Sequence, residues 1–508
     1  MVKKEKISLT QQAVSGSFWN VLTSIIQRIG GLVVTIILAR ILLPKGFGVY
    51  NLVLSIALLF TLFTEGGINN AVVRYLAETG KNKKKTKLYF RYTLKLKLII
   101  LLISSGLLAL LAFPLSLIVF KKPEILVSLI FASFFIFVYS LGNFFSSLFF
   151  AVKKVEYIAV KEVIYQFSRV FIIGIVIWLA FSYLNVIYVM IILTFSSLIA
   201  LIFIFYKSHN LFPYLFKKEE PGAFLSKTDK KRIISFALAI TVTSISYLLL
   251  GNIDTIMLGA LVNSASQVGI YRSAFTLAAS ISGLFALGQV LLPIFVQINK
   301  IRLEDAFNKV FKYSMIFAIP AAFGLAILSN YFIVLIYGYE YIDASLPLII
   351  LSFLIIPGIQ VSLFSSLFLT KEKLKEYTYL LATVIIMNII LNFILIKLFS
   401  YYFPSLIATG VAIATLSSWL IYSIGLDIIT RKNLKIHSDL TLFVKPTIAS
   451  LIMITIIYFL KIRFVNLNIL SGVFLVLVGV AVYFLIMILI KGIVKDDFLL
   501  IREIFIKR

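Results

Sequence analysis

Ser17, Asn20, Ser24, Arg28, Gly31 and Thr35 recur at steps of three and four residues. That spacing lays them along one face of an α-helix, with a guanidinium at the centre of a polar stripe. The guanidinium is planar and permanently charged, so it can grip a phosphate or carboxylate through two parallel N–H bonds. Asn20 and Ser24 add hydrogen-bonding groups on the same face. Arg169 offers similar anion chemistry beside Tyr165, Gln166 and Ser168, on a less regular face, and Arg272 is a third candidate. Ser244, Tyr247, Gly251 and Asp254 share another helical face. Asp254 there could take up a proton or Na⁺, or pair with Arg272, and Glu65 faces a similar choice between ion coupling and pairing with Arg28. Asn388 and Asn392 stand one helical turn apart, suited to sugar hydroxyls or to bonds between helices.

The elements that carry these groups are defined by composition. The chain has 508 residues, of which 61% are apolar and 14% charged, and its mean hydropathy is +1.06. A soluble chain would be roughly half apolar and a quarter charged, so this is an all-α integral membrane protein. The absence of Cys rules out disulfides, thiolate metal sites and cysteine nucleophiles. The two His, His209 and His437, lie in short polar connectors, which argues against a histidine triad or metal cluster. No metal or organic cofactor is expected. The net charge of +27 fits an anionic membrane surface better than nucleic acid.

Apolar runs long enough to span a bilayer, about 20 residues each, fall near 13–41, 46–76, 92–120, 123–150, 156–181 and 185–206. A second series follows near 233–261, 267–292, 310–337, 342–369, 377–399 and 404–429, and two more lie near 442–461 and 466–490. The expectation is fourteen transmembrane helices: a six-helix bundle over 1–206, a polar linker over 207–232, a second bundle over 233–430, and two extra helices with a tail over 431–508. Of the 48 Lys and Arg, 38 fall on the side of the two termini, seven on the opposite side, and Arg28, Arg169 and Arg272 inside spans. Positive residues accumulate on the cytoplasmic face, so both ends are expected there, in the cell membrane. The charged start, before a first span with no cleavage site, reads as retained. Arg28 lies about 15 residues, or roughly 22 Å, from the cytoplasmic end of its helix, too deep for easy snorkelling.

The two halves echo one another. Phe145-Ser-Ser-Leu-Phe149 recurs as Phe364-Ser-Ser-Leu-Phe368, and each copy runs into a charged turn closing on a tyrosine, Tyr157 or Tyr377. Gly48-Val-Tyr50 matches Gly269-Ile-Tyr271 at an offset of 221 residues, close to the 219 and 220 of the other pairs. Six spans per half give the halves one orientation, as in transporters built from parallel repeats.

Leu38-Ala-Arg-Ile-Leu-Leu-Pro-Lys-Gly-Phe-Gly-Val-Tyr50, with Val73-Arg-Tyr-Leu-Ala77, resembles the N-terminal signature of the polysaccharide transporters. These form a branch of the multidrug/oligosaccharidyl-lipid/polysaccharide (MOP) exporter superfamily that includes O-antigen-type, Wzx-like flippases. Asp254-Thr-Ile-Met-Leu-Gly259 through Gly269-Ile-Tyr271 resembles that family's span-seven signature. Lys45 and Gly46 replace common acidic residues of the first motif, and Glu65 stands where Asp is frequent. The resemblance implies two bundles rocking by alternating access around a central cavity, with the last two helices peripheral. It also implies glycan-assembly enzymes as partners.

Together these readings give a transporter rather than an enzyme. The leading expectation is a flippase that carries a polyprenyl-(pyro)phosphate-linked oligosaccharide between leaflets. Arg28, Arg169 and Arg272 would hold the phosphate, and Asn20, Ser24, Asn388 and Asn392 the glycan. Asp254 and Glu65 would couple the cycle to H⁺ or Na⁺. The alternative within the same superfamily is a Na⁺- or H⁺-coupled multidrug exporter. A membrane glycosyltransferase would need acidic residues on a large outer loop, and no outer connector is long enough.

Overall fold

A computed structural model describes residues 9–80, 82–180, 185–217, 224–284, 300–370, 374–436, 439–463 and 468–493. The described residues are helical, with short π and 3₁₀ turns and no strand. In chain order the helices are α1 (Leu9–Thr79), α2 (Lys83–Pro114), α3 (Leu126–Ala151), α4 (Glu156–Ala180), α5 (Val186–Leu211), α6 (Pro213–Phe216), α7 (Lys227–Leu261) and α8 (Ala265–Leu284). They continue as α9 (Lys300–Ile327), α10 (Ser329–Tyr337), α11 (Ser345–Ser352), α12 (Ile355–Thr370), α13 (Leu374–Tyr402), α14 (Ile407–Leu434), α15 (Val444–Arg463) and α16 (Ile469–Leu489). Among the described residues ten helices are long and apolar enough to cross a bilayer, or eleven with the bent pair Tyr339–Ser352 and Ile355–Phe368 as one span. Over their described residues, thirteen of the fourteen apolar runs fall on this helical framework; that near 267–292 is described only as far as Leu284.

α1 is 71 residues long because it joins two spans across a break at Leu43, whose φ of 56° and ψ of 173° are non-helical. Pro44 causes the break: its ring excludes the helical region for the residue before it and removes a backbone donor. The arm after the break packs on α2, α3 and α7.

The chain forms two compact units, Met1–Gly269 and Ile270–Arg508. The stretch expected as a linker, 207–232, and helix α7 therefore lie within the first. Its core, at the end of the helices near Thr79 and Ala151, joins Tyr75, Phe90, Phe144, Phe149, Ile204 and Ile233. Phe149 meets Tyr157 with ring centroids 5.3 Å apart.

Close helix crossing in this unit requires Gly48, Gly67 and Gly269; a Cβ on Gly67 would sit 1.8 Å from the carbonyl oxygen of Ala237. A Cβ on Gly48 would sit 1.8 Å from the carbonyl oxygen of Ala265, and one on Gly269 would sit 2.0 Å from that of Pro44. Pro44 and Ala265 differ by the same 221 residues as Gly48 and Gly269. The contact is reciprocal, so the repeat seen in the sequence meets itself here.

In the second unit α15 and α16 form a hairpin packed on α9 and α10 through Met453, Ile457, Leu475, Tyr483 and Met487. Pro320 lies inside α9 and has no N–H for the carbonyl four residues back, which is Ile316. Tyr483 replaces that donor from the neighbouring helix, its hydroxyl 2.7 Å from the Ile316 oxygen. The Phe–Tyr contact of the first unit recurs between Phe368 and Tyr377, at 6.1 Å.

Candidate functional site

The first unit buries an extended polar network among its helices. Thr86, Phe90, Thr93, Lys97, Leu101 and Ser104 form the inward stripe of α2, at the three- and four-residue spacing of a packed helix face. Lys97 is fully buried. Its ammonium donates to the Thr64 carbonyl at 2.6 Å, Ser140 Oγ at 2.9 Å and Asn69 Oδ1 at 3.2 Å, so all three of its protons are used. Glu65 Oε1 stands 3.9 Å from the same nitrogen and accepts no hydrogen bond.

From Glu65 the network crosses to α3 and α4. Its other oxygen accepts from Asn69 Nδ2 at 2.9 Å and Asn143 Nδ2 at 3.5 Å. The carbonyl of Asn143 receives the buried Lys161 ammonium at 3.0 Å. Lys161 lies 4.0 Å from Glu162, whose carboxylate accepts from Gln166 at 2.8 Å and from Gln27 at 3.1 Å. Arg169 ends the chain, donating to Gln166 Oε1 at 3.1 Å with its guanidinium 5.0 Å from the Tyr165 ring centroid. Its Nε is buried and has no acceptor. Three cations and two carboxylates leave the cluster one positive charge in excess. Unpaired buried charge is strongly penalised, so the network keeps opposite charges and amides in alternation.

The sequence-predicted stripe on α1 lies at the edge of this network. Gln27 and Arg28 are exposed, as is Asn20, and Ser24 is half-buried with its hydroxyl turned to the Asn20 carbonyl. A side chain at Gly31 would meet nothing within 4 Å, whereas Gly30 abuts the Gln166 side chain. Helix α1 therefore packs one flank on α4 and leaves the Arg28 flank open. Among the described residues Arg28 has neither an ion pair nor a hydrogen bond. The pairing with Glu65 that the sequence left open does not form, because Lys97, Asn69 and Asn143 surround that carboxylate.

The remaining candidates occupy other surroundings. Asp254 is buried on α7 next to Thr255, and Asn252, two residues before it, receives a hydrogen bond from Ser55 at 3.3 Å. In the second unit the Arg272 guanidinium lies 5.2 Å from the Phe275 ring centroid. Asn388 and Asn392 expose no surface: Asn392 donates to Asn388 at 3.1 Å, and Asn388 to Ser418 on α14 at 3.2 Å. Asn388 thus holds α13 to α14, and Asn392 steadies Asn388 from one turn further along α13.

Lys97 and Lys161 correct the sequence reading, which left only Arg28, Arg169 and Arg272 inside spans and counted all other basic residues at the membrane faces. They are buried within α2 and α4. The signal that locates Lys97 is its place in the Thr86-to-Ser104 stripe, which hydropathy averaging hides. At the opposite end of the unit, Lys122 is buried between α2 and α3 and donates to the Gly259 and Val262 carbonyls at 2.7 and 2.8 Å, capping the end of α7. Burial lowers its pKa.

Comparison with known proteins places the fold. The chain is similar to the structure titled lipid II flippase MurJ in an inward closed conformation, with a TM-score of 0.68 and 19% identity, over 93% of this chain and 99% of that one. An inward-facing multidrug resistance MATE family transporter of the MOP superfamily gives 0.61 and 14%, over 80% and 95%. A MOP superfamily transporter from Pyrococcus furiosus gives 0.51 and 14%, over 84% and 96%. No curated protein matches the sequence. The molecule thus has the MOP-superfamily fold, and it is a multi-pass membrane protein. By its sequence, the chain belongs to the polysaccharide biosynthesis protein family, whose model matches residues 13–299.

Proposed function

We propose that this protein is a flippase for a lipid-linked glycan, moving a polyprenyl-(pyro)phosphate-linked oligosaccharide across the cytoplasmic membrane by alternating access. The observation that carries this reading is Arg28, an exposed guanidinium on a polar helical stripe, without a carboxylate partner among the described residues. Asn20, Ser24 and Gln27 flank it, and the cluster behind it carries an excess positive charge. A cation left open in a membrane helix is suited to an anionic headgroup, and its fork fits a phosphate. The polar neighbours suit glycan hydroxyls, while an apolar tail needs no protein cavity because the bilayer dissolves it. Arg169, with an unsatisfied Nε, is the second anion contact of this reading, and Arg272 the third. In this reading Glu65 and Asp254 would couple the cycle to H⁺ or Na⁺, with both termini in the cytoplasm.

The test is complementation of a flippase-deficient strain. Wild type is expected to restore surface glycan, whereas Arg28→Ala and Arg28→Glu do not, although both reach the membrane at normal levels. Full rescue by Arg28→Glu would remove the phosphate-holding role. Resistance to cationic drugs conferred by the wild type, without glycan export, would favour the multidrug exporter instead.

A further inference from the structure

A second site lies on α2, α3 and α5, away from the charged network. Leu94, Leu98, Leu141, Phe145, Leu201, Ile202 and Phe205 line an open groove of about 350 Å³ without a polar atom on its surface. Ile202 and Phe205 are exposed at its rim, within helices apolar enough to cross a bilayer. An open apolar slot in such a position is filled by hydrocarbon.

One end of the slot is closed by rings and bordered by positive charge. Phe205 packs edge-to-face on Phe145 and Phe216, with centroids 5.2 and 5.7 Å apart, and His209 lies 5.2 Å from Phe216. Arg91 continues the Leu94–Leu98 stripe one turn further along α2, and its guanidinium donates to the Lys217 carbonyl. His209 continues the Phe205 stripe of α5 four residues further on. Lys217, whose carbonyl Arg91 holds, is exposed. Apolar walls therefore lead, within two helical turns or about 10 Å, to a guanidinium and an imidazole, with an exposed lysine next in the chain to Phe216.

We infer that this groove binds an anionic glycerophospholipid of the surrounding leaflet, with one acyl chain along the slot and the phosphate at Arg91, His209 and Lys217. Basic pockets between membrane helices take anionic headgroups, and the match of charge to apolar walls selects an anionic phospholipid over a zwitterionic one. The site is built by the first unit alone and is independent of the transported substrate.

The test uses the full-length protein in nanodiscs of phosphatidylglycerol and phosphatidylcholine, with bound lipid counted by native mass spectrometry. Wild type is expected to retain one phosphatidylglycerol. Ile202→Trp, which fills the slot, loses it, while Phe134→Trp, on an exposed part of α3 outside the lining, keeps it. Arg91→Gln weakens the preference for phosphatidylglycerol about fivefold, the effect of one cation near an anionic surface. Equal retention of the two lipids by wild type, or retention unchanged by Ile202→Trp, would overturn the assignment. So would displacement of the bound lipid by stoichiometric polyprenyl phosphate.

Discussion

Gln27 donates to the buried carboxylate of Glu162 across 3.1 Å, joining the open face of α1 to a charge network that continues to Lys97. A residue beside the exposed stripe is thereby linked to groups in α2, α3 and α4. Binding of an anion beside Gln27 would be felt by Glu162 and Lys161 through direct electrostatic contact.

That linkage predicts strongly non-additive mutations. Lys97→Met leaves Glu65 without its counter-charge in a buried setting and is expected to destabilise the protein by about 3–5 kcal/mol. The double variant Lys97→Met, Glu65→Gln removes both charges and should recover most of the loss. Thermal unfolding of the four proteins of the cycle in detergent measures this, and additive losses would show that the two groups act separately.

Tyr483 and Pro320 form a second testable pair. Tyr483→Phe strips the Ile316 carbonyl of its donor, with an expected loss of about 1–3 kcal/mol for a buried unsatisfied group. In a Pro320→Ala background the backbone N–H returns and can serve the same oxygen. The Tyr483→Phe loss should then shrink by at least half, as read from a thermal double-mutant cycle.

Steric limits differ sharply between glycines. Gly48→Ala and Gly269→Ala each drive a methyl into a backbone carbonyl and should cost upwards of about 1–3 kcal/mol. Gly31→Ala enters open space and should be neutral or slightly stabilising, since alanine favours helix. Yield of monodisperse protein on size exclusion separates these cases.

Acid should act at the start of α7. The Tyr89 hydroxyl donates to Asp229 at 2.6 Å, and that bond holds the carboxyl below its usual range. A depressed folded pKa contributes stability above the unfolded value, about 3.9, and loses it as pH falls through the folded value. Tyr89→Phe is thus expected to be less stable than wild type at pH 7, with the gap narrowing below about pH 4. Unfolding curves at pH 7, 5 and 3.5 decide it.

The helical framework and the duplicated segments were legible in the sequence because they rest on long runs and on spacing. Hydropathy located the helices, and the recurring Phe–Tyr contacts were visible in the Phe-Ser-Ser-Leu-Phe repeat. The α1 stripe was legible for the same reason: one helical period suffices to put Asn20, Ser24 and Arg28 together. Lys97 and Lys161 were not. A lysine near the end of an apolar run looks like the start of a loop; the Thr86-to-Ser104 stripe places Lys97 on a packed face, but its partners lie 28–43 residues distant along the chain. Glu162 was hidden likewise, since its bond from Gln27 spans 135 residues. The apolar groove has no sequence signature, for its seven lining residues come from three helices and resemble any membrane-facing set.

The reciprocal crossing at Gly48 and Gly269 limits how far the duplicated segments can drift apart. Elsewhere the two copies differ, and one carries Arg28 whereas the other carries Asp254 further along its first helix. At the crossing, Pro44 shadows Gly269 and Ala265 shadows Gly48, so neither codon can change without evicting the backbone opposite. A side chain added at either glycine would force the two backbones apart at both, so the crossing ties equivalent positions of the two copies to one another.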